Sequence, residues 1–131
     1  MRKPTIILLL LIFILPACGS GATTIDVTFS EFSFTPAEFT VSAGQEITIT
    51  ARNDGAVMHE FAIMNFGATV GDDFGDDDIE NIFWVVKVEP GGSITQIFIA
   101  PAQPGEYQVV CGIPGHFMAG MAGNLIVVAD K

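Results

Sequence analysis

Beyond residue 23 the apolar residues of this chain recur at every second position, and that period admits strands and little else. Ile25, Val27 and Phe29 alternate with Asp26, Thr28 and Ser30, and Ile47 and Ile49 alternate with Thr48 and Thr50. Phe39 with Val41, and Phe61 with Ile63, are shorter instances; Trp84, Val86 and Val88 face away from Lys87 and Glu89. Side chains on a strand point alternately to opposite faces, so each run has one apolar face to bury. Ile94 to Ile99, Tyr107 to Cys111 and Leu125 to Val128 read as further strands. Turn formers separate the runs at Ala43-Gly44, Asn53-Asp54-Gly55, Pro90-Gly91-Gly92, Pro101 and Pro104-Gly105. No helical periodicity stands out. The pattern predicts one all-β domain, a sandwich or a barrel, without internal repeats.

The N-terminus stands outside that pattern. Met1-Arg2-Lys3 is basic, Ile6 to Leu15 is an unbroken apolar run, and Leu15-Pro16-Ala17-Cys18 follows. The run is about half of the roughly 20 residues that a membrane-spanning helix needs, and the sequence of features is that of an export signal. Leu15-Pro16-Ala17-Cys18 resembles the lipobox of bacterial lipoproteins. That resemblance implies a signal peptide at 1–17 and a diacylglycerol on the Cys18 thiol. A tether at 18–23 would follow, with Gly19-Ser20-Gly21 flexible in composition, and then a folded domain at 24–131. The protein would sit outside the cytoplasm, held to a membrane as a lipoprotein in the periplasm or on the outer face of the cytoplasmic membrane. With Cys18 lipidated, Cys111 has no disulfide partner in the chain. A lone thiol in an oxidising compartment is a liability unless something, such as a metal, occupies it.

The formal net charge is −10. Removing Arg2 and Lys3 leaves 15 acidic residues against Arg52, Lys87 and Lys131. Nucleic acid is excluded as a partner, because binding it requires clustered cations. A basic protein partner suits this charge, and so does solubility alone. The acids concentrate between Gly67 and Asn81 at Asp72, Asp73, Asp76, Asp77, Asp78 and Glu80. This segment reads as an exposed, solvated loop with a helical turn near Asp77 to Ile82. Its spacing does not fit a calcium-binding EF-hand loop.

The segment Cys111-Gly-Ile-Pro-Gly-His116-Phe-Met118-Ala-Gly-Met121 carries the chemistry. It offers a thiolate, an imidazole and a thioether on a loop whose glycines permit tight turning and whose Pro114 lowers the cost of ordering it. The only other histidine is His59. By alternation His59 shares the inward face of Phe61 and Ile63, and Cys111 shares that of Tyr107 and Val109. Two imidazoles, one thiolate and a weak axial thioether form the ligand set of electron-transfer copper. Zinc prefers four firm N or S ligands, and methionine is a poor one.

These residues resemble the cupredoxins, and among them most the auracyanin kind, which shares the spacing Cys-x4-His-x4-Met seen at Cys111, His116 and Met121. Phe34-Thr-Pro36, Val41-Ser-Ala-Gly44, Asn53 and the closing run Gly123 to Val128 extend the likeness over nearly the whole domain. The resemblance implies a Greek-key β-sandwich or barrel and one type 1 copper ion on His59, Cys111, His116 and Met121. Met121 is favoured over its rival Met118 by the family spacing. It also implies an electron exit at the edge of His116, within an apolar patch of Ile113, Pro114, Phe117, Met118 and Ala119. Where many cupredoxins carry Asn after the first histidine, this chain has Glu60, which by alternation points away from the core. The function so implied is a one-electron carrier. The acidic charge suits a basic redox partner such as a c-type cytochrome or a membrane respiratory or photosynthetic complex, and a carrier this small is expected to be a monomer. A copper-handling lipoprotein, for storage, delivery or sensing, is the alternative. An enzyme is not expected, because a further copper centre would need histidines the chain lacks.

Overall fold

The computed structural model describes residues 21–130. The signal peptide expected at 1–17 and the lipidated Cys18 lie outside the described residues. The described part holds β1 (Thr24–Ser30), β2 (Ser33–Thr35), β3 (Glu38–Ser42), β4 (Glu46–Asn53) and β5 (His59–Met64). A 3-10 helix (Asp76–Asn81) follows, then β6 (Ile82–Val88), β7 (Ser93–Ile99), β8 (Gly105–Val110) and β9 (Ala122–Val128). Two sheets form, in the orders β2-β1-β4-β7 and β3-β9-β8-β5-β6. The β1–β4 and β3–β9 pairs are parallel and the remaining pairs antiparallel.

The alternation read from the sequence is the alternation of burial. Ile25, Val27 and Phe29 of β1 and Ile47, Ile49 and Ala51 of β4 face the same core as Phe61 and Ile63 of β5 and Tyr107 and Val109 of β8. Aromatic rings fill its centre. Phe61 stacks on Phe29 at 6.1 Å between centroids and meets Phe34 and Phe39 edge-on at 5.2 and 5.5 Å. Such rings contribute through buried area and through their offset or edge-to-face geometry.

Three expectations need correction. The three-residue β2 is absent from the sequence reading, being too short to show a period. Contacts begin before Thr24: the Gly21 N–H donates to Ser42 Oγ at 3.1 Å and that of Ala22 to the Thr40 carbonyl at 3.0 Å, so this end of the expected tether is docked on β3. The acidic segment is not simply solvated, because β5 is buried on both faces. Ala62 and Met64 point away from the main core into a second apolar cluster with Val70 and Val110, against which Phe74, Val85 and Phe117 pack. The segment between β5 and β6 thus covers the outside of the five-stranded sheet, and its helical turn, expected near Asp77, is the 3-10 helix.

Candidate metal centre

Strand pairing brings the candidate ligands together. In the β5–β8 pair Ala62 lies opposite Val110, which sets the start of β5 beside the residue that follows β8. The Glu60 backbone N–H accordingly points at Cys111 Sγ, 3.4 Å away. The β8–β9 pair runs as far as Val110 opposite Ala122, and the Cys111 N–H then donates to the Met121 carbonyl at 3.1 Å. Cys111 and Met121 therefore close the two ends of one loop, with His116 at its middle.

Three donor atoms converge. His59 Nδ1 and His116 Nδ1 are 3.1 Å apart, and Cys111 Sγ lies 3.4 Å from His116 Nδ1 and 4.0 Å from His59 Nδ1. All fall within 4.8 Å of one another. Cys111, His59 and Met121 have no exposure, and His116 is partly exposed. Met118, the rival thioether, is 69% exposed, whereas Met121 belongs to the same core as Cys111. The four residues are arranged as a type 1 copper site. The geometry itself fits a cation, because two unprotonated Nδ1 lone pairs this close repel unless a proton or a metal lies between them.

The surroundings set the protonation of the apo-site. Burial pushes the His59 pKa down, His116 pushes it further, and Glu31 partly offsets both. Burial pushes the Cys111 thiol up, the N–H groups of Glu60 and Ile113 pull it back, and the Glu60 carboxylate adds to the rise. Metal uptake therefore finds a neutral imidazole at His59 and displaces a proton from Cys111. The depressed pKa of His59 also has a stability consequence. As pH falls below the ordinary imidazole value of 6.5, the unfolded chain binds a proton that the folded apo-protein resists, so folding weakens; above that value the group contributes nothing. Urea midpoints of the apo-protein should fall between about pH 7 and about pH 5, and fall less in His59→Gln.

Neighbouring residues hold the site from several sides. Asn53 is buried, donates to the carbonyls of Val57 and Val88 at 2.8 and 2.9 Å, and accepts from the Gly55 N–H at 2.8 Å, fixing the turn before His59. Gly55 is required there, since a Cβ would stand 2.8 Å from His59 Nε2. Glu60 points out of the main core, as the alternation requires, and is nonetheless buried, its carboxylate ion-paired with Lys87 at 2.6 Å and lying against Gly112. Phe32, in the β1–β2 turn at φ 62°, sets its ring edge-on to His116 at 5.3 Å and is 45% exposed. It joins the expected surface patch, of which Pro114, Met118 and Ala119 are exposed while Ile113, His116 and Phe117 are half-buried. Nothing in its turn sequence, Ser-Glu-Phe-Ser, marked Phe32 as part of the site.

Comparison with known proteins agrees with this geometry. Residues 4–127 match the model of the cupredoxin-like domain. The chain belongs to this family. Among its relatives, this cupredoxin is 32% identical to auracyanin-A of Chloroflexus aurantiacus over 126 residues, covering 83% of this chain and 76% of that protein. It is 30% identical to the copper-resistant cuproprotein CopI of Rubrivivax gelatinosus, over 79% of this chain and 66% of the relative. Its fold superposes on dithionite-reduced auracyanin from Roseiflexus castenholzii with a TM-score of 0.69 and 33% identity, over 83% of this chain and 99% of that one. The cupredoxin frame thus explains why the ligands sit on β5 and on the β8–β9 loop.

Proposed function

We propose that this cupredoxin carries single electrons between extracytoplasmic redox partners, using one copper ion held by His59, Cys111, His116 and Met121. The convergence of two imidazole nitrogens and one buried thiol beside a buried methionine carries the reading. When bound, copper would supply a Cu(II)/Cu(I) couple, with a potential tuned by the Met121 sulfur and by hydrogen bonds to the Cys111 thiolate. The protein supplies the rest. The strand frame fixes His59 and Cys111, the N–H of Glu60 points at Cys111 Sγ, and the apolar core excludes water. His116 is the electron exit, within Phe32, Ile113, Pro114, Phe117 and Met118, a surface suited to brief apolar docking.

Lipidation at Cys18 would hold the domain to a membrane; among the described residues no helix is long and apolar enough to cross one. The net charge favours a basic partner such as a c-type cytochrome or an exposed face of a respiratory or photosynthetic complex. Electron transfer to such a partner should slow steeply as salt rises past the range where the Debye length is about 10 Å. A rate indifferent to ionic strength sinks electrostatic steering. Both histidines of the chain lie in the one site, which leaves none for a catalytic copper cluster.

The likeness to a copper-resistant cuproprotein favours a second reading, copper handling. Titrating residues 19–131 with Cu(II) tests both. An intense visible band with narrow copper hyperfine splitting, and metal that resists a chelator, support the carrier. A pale tetragonal spectrum sinks the carrier, and quick release to an acceptor favours handling.

A further inference from the structure

We infer that Asp73, in the acidic segment, is a positioning residue for His116. Its two carboxylate oxygens accept from two backbone N–H groups of the ligand loop: Oδ2 from Gly115 at 3.0 Å and Oδ1 from Met118 at 3.4 Å. These donors flank His116 on both sides. The loop winds through successive tight turns, in which the His116 N–H reaches the Ile113 carbonyl at 3.0 Å, that of Ala119 reaches Gly115 at 3.1 Å and that of Met121 reaches His116 at 3.0 Å. The leading N–H groups of such a winding have no acceptor within it, the same shortage that a capping carboxylate meets at a helix start. Gly115 enters the turn at φ 81°, a conformation open to glycine.

Asp73 is itself held. The N–H of Val70 donates to Gln108 Oε1 of β8 at 2.7 Å, Val70 is buried, and Phe74 packs on the second apolar cluster. A Cβ on Gly112 would lie 3.4 Å from the Phe74 ring, so the segment also passes close to the residue after Cys111. Asp72, Asp76, Asp77 and Glu80 are exposed, and Asp78 turns back to the Gly75 N–H at 2.9 Å. Asp73 alone of the segment's acids bonds to the ligand loop in the described residues. The carboxylate sets the peptide units around His116 before any metal arrives, which lowers the ordering cost of binding. The consequence for copper rests on the function proposed above; the bond itself does not.

Three proteins are compared with the parent: Asp73→Ala, Asp73→Asn and the control Asp76→Asn/Asp77→Asn. In the metal-free state, amide exchange at Gly115 and Met118 should quicken about 10-fold or more in Asp73→Ala, since charged hydrogen bonds are the stronger kind. Asp73→Asn keeps one acceptor oxygen and should release one amide rather than both. After Cu(II) loading, Asp73→Ala should lose copper to a chelator about 10- to 100-fold faster, as outer-shell changes do, with an altered hyperfine splitting, while the control matches the parent. Unchanged exchange in Asp73→Ala overturns the brace. Faster exchange with parental copper retention and spectrum overturns its positioning role, and so does equal copper loss in the control, which would point to charge. If Asp73→Ala does not fold, the Asp73→Asn readings decide on the same terms. A parent without a type 1 spectrum sinks the copper reading, and the metal-free exchange data still judge the brace.

Discussion

Copper-loaded Cys111→Ser lacks the intense visible band and the narrow hyperfine splitting expected of the parent, and retains its metal poorly. Both signals come from covalency between copper and a thiolate. An alcohol gives up its proton far less readily than a thiol and is a harder donor, so it does not replace that bond. Loss of a direct ligand should cost more affinity than the about 10- to 100-fold typical of outer-shell changes. The fold has less to lose. Cys111 is fully buried and its sulfur faces the N–H of Glu60, a bond that a serine oxygen can also accept. The hydroxyl would also face the ring nitrogens of His116 and His59, 3.4 and 4.0 Å from the present sulfur. Burying this more polar group beside the core should cost the apo-protein on the order of 1–3 kcal/mol. Absorption spectra and chelator competition check the metal, and urea unfolding of the apo-forms checks the fold. A Cys111→Ser protein that kept the blue spectrum would refute the site as described.

The inward side of the molecule was legible because alternation reports it directly. His59 with Phe61 and Ile63, and Cys111 with Tyr107 and Val109, lie in or against the core as their positions require. The outward side was not legible, since a two-residue period says which side chains leave the core and nothing about what then covers them. Glu60 is the clearest case: it leaves the core as expected and is still buried, lining one cavity with Phe74 and Ile79 of a segment whose acids suggested only water. In that segment the informative residues were Val70 and Phe74, the apolar anchors between the charges, and not the charges themselves. Phe32 and Asp73 escaped for a related reason. Each reaches the ligand loop from a turn or irregular stretch, where no periodicity fixes a direction.

Phe61→Ala should be the most damaging single core substitution for folding, costing about 3–5 kcal/mol, the range for large aromatic truncations. Phe61 is the hub of the aromatic group, touching Phe29, Phe34 and Phe39, which come from strands of both sheets. Its removal therefore unpacks the interface between the sheets rather than one edge of it. A domain of this size has about 5–15 kcal/mol in all, so the apo-variant should stand close to unfolding. Phe29 also meets the His59 ring edge-on at 6.5 Å, so loosening reaches the metal centre. Copper should rescue the variant, because a ligand at 1,000 times its Kd adds about 4 kcal/mol to the folded state. Urea unfolding with and without copper should show a large deficit for apo Phe61→Ala and a folded, less stable copper form. Phe61→Leu, which keeps most of the volume, should cost much less. If Phe61→Ala lost under about 1 kcal/mol, within the ordinary run of point mutations, the aromatic group would not be what joins the two sheets. The stability of the domain would then have to come from the aliphatic layers of β1, β4 and β9.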